Sequence, residues 1–128
     1  MKDKSVLVTG GAGFIGSNLV KRLVREGANV SVFVKYHSII DCPRLCSVWN
    51  EIEVVEADLR NTDSVFSLQE REFDTVFHLA AYNHVGDSFN HASEAIQSNL
   101  LGTVNLLESG PKWKRFIYTS TSEVYGYQ

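Results

Sequence analysis

Two stretches of this 128-residue chain combine residue types that could do chemistry. The first is Thr9-Gly10-Gly11-Ala12-Gly13-Phe14-Ile15-Gly16, in which Gly10, Gly13 and Gly16 fall at the spacing G-x-x-G-x-x-G. At that spacing Gly10 permits a tight exit from a strand and Gly13 lets backbone approach a pyrophosphate. Gly16 allows a helix to pack closely on a sheet. A helix opening directly after such a loop offers free N–H groups and a positive dipole end to phosphate oxygens. The second stretch, Thr119-Ser120-Thr121-Ser122-Glu123, places hydroxyls and a carboxylate side by side at a predicted strand end.

The elements that must hold these stretches can be read from the hydrophobic pattern. Ser5–Thr9, Asn29–Val34, Ile52–Ala57, Thr75–Ala80 and Arg115–Ser120 are short apolar or β-branched runs that read as strands. Between them lie helical patterns: Gly13 to Glu26, with Ile15, Leu19 and Leu23 on one face and Gly27 as its stop, and Thr62 to Gln69, capped by Asn61 or Thr62. A longer helix from Ser88, read as its cap, to Ser109 carries Ala92, Ile96, Asn99, Thr103 and Leu107 on one stripe. Residues 35–50, with Pro43 and both cysteines, read as irregular. Strands alternating with helices predict an α/β fold, a Rossmann-type doubly wound parallel sheet. Right-handed crossovers give strand order 3-2-1-4-5. Ligands bind such sheets at the carboxyl ends of the strands, beside the point where the order reverses, and both chemical stretches fall there. The glycine triplet, weak alone, becomes a dinucleotide-binding signal between the first strand and helix of a βαβ unit.

Composition narrows the partners. A formal net charge of −3, from twelve basic and fifteen acidic side chains, provides no basic field for nucleic acid or an anionic membrane. Hydrophobic residues at 44% and charged residues at 21% are ordinary for a soluble globular domain, and the length suits one domain, residues 1–128. No apolar run approaches the roughly 20 residues of a membrane helix, and MKDKSVLVTGG enters a strand without the apolar core of a signal peptide. Cys42 and Cys46 have no further His or Cys at metal-ligand spacing, so free thiols in a reducing cytoplasm are expected and no metal is assigned. His78, inside an apolar run, reads as a core residue. His84 and His91 flank the loop after the fourth strand.

TGGAGFIG, Asp58-Leu59, HLAA at His78–Ala81 and STSEVYG at Ser120–Gly126 together resemble the extended short-chain dehydrogenase/reductases. More narrowly they resemble the NAD(P)-dependent nucleotide-sugar epimerases and dehydratases, with sugar-nucleotide 4,6-dehydratases nearest. The resemblance implies that Gly10, Gly13, Phe14, Ile15 and Gly16 hold the cofactor's pyrophosphate. It also implies that Asp58 and Leu59 line an adenine pocket, and that Leu79, Ala80, Ala81 and Thr119 pass beside the ribose and nicotinamide. Asn99 would support the active site. An NAD-preferring member carries an Asp at the end of the second strand. Here the run is Val34-Lys35-Tyr36-His37-Ser38, and Lys35 can pair with a 2′-phosphate, which favours NADP without excluding NAD.

By the same resemblance Thr121 stands at the catalytic Ser/Thr position and Glu123 is the base. Once the sugar's C4 is a ketone, its C5 proton is acidic; a base removes it and hydroxide leaves C6. Ser122 stands where one dehydratase type has an Asp acid, so decarboxylation of a UDP-glucuronate-like sugar and 4-epimerisation stay open beside dehydration. The family's Tyr-x-x-x-Lys pair does not occur in the chain: Tyr118, Tyr125 and Tyr127 lack a Lys four residues on. The resemblance places that pair, a sixth strand and the sugar-binding region beyond residue 128. The expected function is therefore the N-terminal, cofactor-binding part of a nucleotide-sugar 4,6-dehydratase, inactive by itself. A non-catalytic dinucleotide-binding module is the reading from another class. A homo-oligomer is expected, through apolar surface that a missing helix would cover.

Overall fold

The structure, a computed structural model, describes residues 1–127. Five parallel strands, β1 (Ser5–Thr9), β2 (Asn29–Val34), β3 (Ile52–Glu56), β4 (Glu72–His78) and β5 (Lys112–Tyr118), form one sheet in the order β3-β2-β1-β4-β5. This is the doubly wound order read from the sequence. The chain leaves β1 and β4 on opposite sides of the reversal point, which opens a crevice at their carboxyl ends.

The central strands β1 and β2 are covered on both faces, whereas β5 at the sheet's edge is largely exposed. Val6 and Val8 of β1 and Val30, Val32 and Val34 of β2 pack under α1 (Phe14–Arg25) through Val20 and Leu23. Leu7 and Phe33 point the other way, against Val65, Leu68 and Leu106. Each fully buried Val or Leu contributes about 1.5–3 kcal/mol. The continuous apolar run of β1 follows from burial on both faces.

Several boundaries differ from the sequence reading. In α1 the buried stripe is Gly16, Val20 and Leu23, whereas Ile15 is 66% exposed, because the first turn of the helix projects past the sheet edge over the crevice. Residues 35–50 are not wholly irregular: a 3₁₀ run, Pro43–Glu51, buries Leu45 and Val48 against α1. β3 ends at Glu56, and the helix at 62–69 is confined to α2 (Thr62–Phe66), with Asn61 Oδ1 accepting the Ser64 amide at 3.1 Å.

β4 and β5 both begin earlier and end earlier than their apolar runs suggested. Their charged starts pair across the sheet edge, Lys114 Nζ donating to Asp74 Oδ1 at 2.7 Å. At the other end Leu79 and Ala80 leave the ladder and hydrogen-bond to Thr9, through its carbonyl at 3.3 Å and its Oγ1 at 3.2 Å.

The long helix also starts later. Ser88 is not its cap but the last residue of a separate turn, α3 (Val85–Ser88), its hydroxyl donating to Val85 O at 2.6 Å. The helix proper runs 92–109 as α4 (Ala92–Ile96), a wide π turn (Gln97–Leu101) and α5 (Gly102–Ser109). The π turn shifts the helical phase. Asn99, Gly102, Thr103 and Leu106 face inward, while Ile96 and Leu107, expected on the same stripe, are 54% and 46% exposed.

Candidate functional site

A groove of about 640 Å³ opens at the carboxyl ends of β1, β2, β3 and β4, a volume in the range of cofactor sites. Its floor is the glycine loop. Gly10 adopts φ +68°, and a Cβ there would sit 2.8 Å from the Ala80 amide nitrogen. A Cβ on Gly16 would run into the Gly10 carbonyl. Side chains at these two positions would collide with backbone, so the close approach of loop, helix and β4 end requires glycine. Gly13 is the N-cap of α1 and supplies no side-chain cap, so the first-turn amides face the groove unscreened. Phe14 and Ile15 flank it, 76% and 66% exposed.

At the far end Lys35 follows β2, and Asp58 and Leu59 follow β3, all on the groove lining. Lys35 is exposed and within electrostatic reach of Asp58. Arg60, which the sequence reading passed over, dominates this end. Its Nε donates to both Asp58 oxygens at 3.1 Å, its Nη2 to Oδ2 at 2.6 Å, and its Nη1 to Glu94 Oε1 at 3.2 Å. The Arg60 guanidinium holds the Asp58 carboxyl below its ordinary range. The signal was available: an Asp followed two residues later by an Arg, in a turn where Asp58 Oδ1 also accepts the Arg60 amide at 2.9 Å. Tyr36, Asp41 and Cys42 complete this end. Both cysteines are free, and burial pushes the Cys42 thiol pKa up, which makes it a poor nucleophile.

The opposite wall is Leu79, Ala80, Ala81, Tyr82 and Asn83, with Ser98 and Thr119 at the rim. Asn99 clamps it: Oδ1 accepts the Tyr82 amide at 2.6 Å and Nδ2 donates to the Tyr82 carbonyl at 3.0 Å. The Thr119 amide donates to His78 O at 3.1 Å. Tyr82 OH donates to Asp87, which pushes the phenol up to about 12 and leaves it unsuited to accept a proton at neutral pH. His84 stands edge-on to Tyr82 and His91 lies 3.5 Å from Asp87.

Every residue assigned to the cofactor from the sequence therefore lines one groove. The residues assigned to catalysis do not. Thr121, Ser122 and Glu123 are exposed, on the turn that follows β5. Thr121 caps that turn, its Oγ1 accepting the Glu123 amide at 3.3 Å, which leaves its hydroxyl proton free to donate.

A doubly wound sheet with this glycine loop at its reversal point defines a Rossmann-type domain of the short-chain dehydrogenase/reductase class. The family model described as GDP-mannose 4,6 dehydratase matches residues 7–128. The chain belongs to that family, the sugar-nucleotide 4,6-dehydratases and epimerases among the extended short-chain dehydrogenase/reductases. It is 38% identical to a dTDP-D-glucose 4,6-dehydratase of Dictyostelium discoideum, matching 96% of this chain and 30% of the relative. It is 34% identical to a bifunctional UDP-glucose 4-epimerase and UDP-xylose 4-epimerase of Pisum sativum, over 97% of this chain and 38% of the relative. The Bordetella bronchiseptica enzyme WbmF, solved in complex with NAD+, superposes with a TM-score of 0.76 at 29% identity, covering 95% of this chain and 37% of that one. The chain thus spans well under half the length of these relatives.

Proposed function

We propose that residues 1–128 are the cofactor-binding part of a nucleotide-sugar 4,6-dehydratase and hold NAD or NADP in the groove. The observation that carries this is the convergence on one groove of the glycine cradle, the uncapped N-terminus of α1 and the two loops after β3 and β4. The donor set suits a dinucleotide: amides and a dipole for the pyrophosphate, a carboxylate and Leu59 for the base, and small residues at Ala80 and Ala81 for a flat ring. When bound, the nicotinamide accepts and returns a hydride at the sugar's C4. Thr121 keeps a proton to donate to a sugar hydroxyl, and Glu123, in the turn that Thr121 caps, would take the C5 proton. Lys35, exposed at the end of β2, favours a 2′-phosphate and hence NADP.

The substrate is read as a nucleotide sugar, handled in a cytoplasmic enzyme, with a homo-oligomer as the working form. Epimerisation is the second reading, favoured by the epimerase relative. The test is to incubate the enzyme containing this chain with dTDP-glucose and UDP-glucose and look for a 4-keto-6-deoxy product. Glu123→Gln is expected to slow dehydration at least a hundredfold. A 4-epimer as sole product overturns the dehydratase assignment, and full dehydration by the Gln variant overturns Glu123 as the base.

A further inference from the structure

His78 is 2% exposed, belongs to no groove lining, and yet both of its ring nitrogens are engaged. Nδ1 lies 2.6 Å from Thr9 Oγ1 on β1, and Nε2 lies 3.0 Å from Thr103 Oγ1 on α5. Neighbouring bonds fix the direction of both contacts. Thr103 Oγ1 is 2.7 Å from Asn99 O, and a carbonyl only accepts, so the Thr103 proton goes there. Thr103 Oγ1 must then accept from His78, which puts the ring proton on Nε2. Nδ1 is left bare and accepts from the Thr9 hydroxyl, whose oxygen in turn accepts the Ala80 amide at 3.2 Å. The result is a single directed chain: Ala80 N–H to Thr9, Thr9 to His78, His78 to Thr103, Thr103 to Asn99. It ends on the residue whose side chain holds Tyr82.

We propose that His78, held as its Nε2–H tautomer between Thr9 and Thr103, is a positioning residue that locks the groove wall at Ala80 and Tyr82 to the long helix. The claim about ligand binding rests on the groove being the dinucleotide site; the claim about the chain of hydrogen bonds does not. The surroundings agree with it. Besides the two threonines, His78 is faced by the Phe116 and Tyr118 rings from β5, at 5.8 and 5.7 Å, and of these only Tyr118 titrates. With no charged neighbour to favour protonation, burial pushes His78 down to about 4, so the imidazole is neutral at physiological pH. An imidazolium would have two donors, and Thr9 could then no longer donate to it.

The test reads three quantities. Long-range ¹H–¹⁵N correlation on histidine-labelled protein, assigned with His78→Gln, is expected to show a bare Nδ1 and a protonated Nε2 for His78 at pH 7. An Nδ1–H form or an imidazolium overturns the chain. Thr103→Val keeps shape and removes the acceptor. It is expected to raise hydrogen exchange at the Ala80 amide, on a different element, while Thr103→Ser restores protection. Titration with NAD+ and NADP+ is expected to show roughly tenfold weaker binding in both Thr103→Val and His78→Phe, with the double variant no worse than either. Additive losses, or Ala80 exchange untouched by Thr103→Val, overturn the positioning role. If the wild type binds neither dinucleotide, the functional reading fails, while the tautomer and the Ala80 exchange still decide the hydrogen-bond chain.

Discussion

At the scale of residues the groove turns on a few side chains and on two missing ones. Lys35 is exposed at the end of β2 and makes no ion pair among the described residues, whereas Arg60 is committed to Asp58 and Glu94. Lys35→Asp is therefore expected to lower the NADP-to-NAD affinity ratio by about tenfold or more, loss of one charge-assisted contact. Parallel titrations with the two dinucleotides check this, and an unchanged ratio removes the phosphate role. At Gly16 the cost is steric, because the added methyl meets backbone, which has no rotamer to escape into. Gly16→Ala is expected to lower stability by about 1–3 kcal/mol in urea unfolding and to abolish dinucleotide binding. Wild-type stability and affinity in that variant would mean the loop is not the tight cradle described here.

At the scale of elements the sheet and long helix are joined through buried polar groups, and that joint carries a pH dependence. His78 is about 4 in the folded state against 6.5 for an ordinary histidine, because burial penalises its charged form. The unfolded chain takes up a proton below pH 6.5 that the folded chain refuses. Stability from this group is complete above pH 6.5 and is lost progressively as pH falls towards 4, by about 3 kcal/mol in all. Urea midpoints across that window in wild type and His78→Gln check it: the variant's profile is expected to be flatter by one proton. The π turn belongs to this scale too. The helical spacing of Ala92, Ile96, Asn99, Thr103 and Leu107 gave a single helix over 88–109 with one stripe, but the extra residue in the turn is invisible to a 3.6-residue period. Asn99 and Thr103 were placed correctly on the inward face. Ile96 and Leu107 were not: the inward face runs through Asn99, Gly102, Thr103 and Leu106 and leaves both outside its margin.

At the scale of the whole molecule the long helix exposes a stripe of Ile96, Leu100, Val104 and Leu107, at 54%, 59%, 37% and 46% exposure. No helix among the described residues is long and apolar enough to cross a membrane. The stripe is better suited to a protein contact. Sedimentation velocity is expected to show concentration-dependent association that Leu100→Glu weakens by at least tenfold, as a charge buried in an apolar contact has no partner. A monodisperse monomer at high concentration in the wild type would remove the homo-oligomer expectation.

The sequence by itself determined the order of the strands and the place of the glycine loop. Both depend on local periodicity, turn chemistry or the handedness of crossovers, which are readable over a few residues at a time, whereas most of the residues along the groove were implied by resemblance to a known family and Arg60 was missed. The tertiary structure alone decided what those residues touch. Arg60 reaches Glu94 across 34 residues and His78 reaches Thr9 across 69. Such pairings depend on which helix lies over which strand, and no period in the sequence encodes that. The strand ends moved for the same reason: Leu79 and Ala80 are as apolar as the strand before them, but their amides find Thr9 instead of a neighbouring ladder.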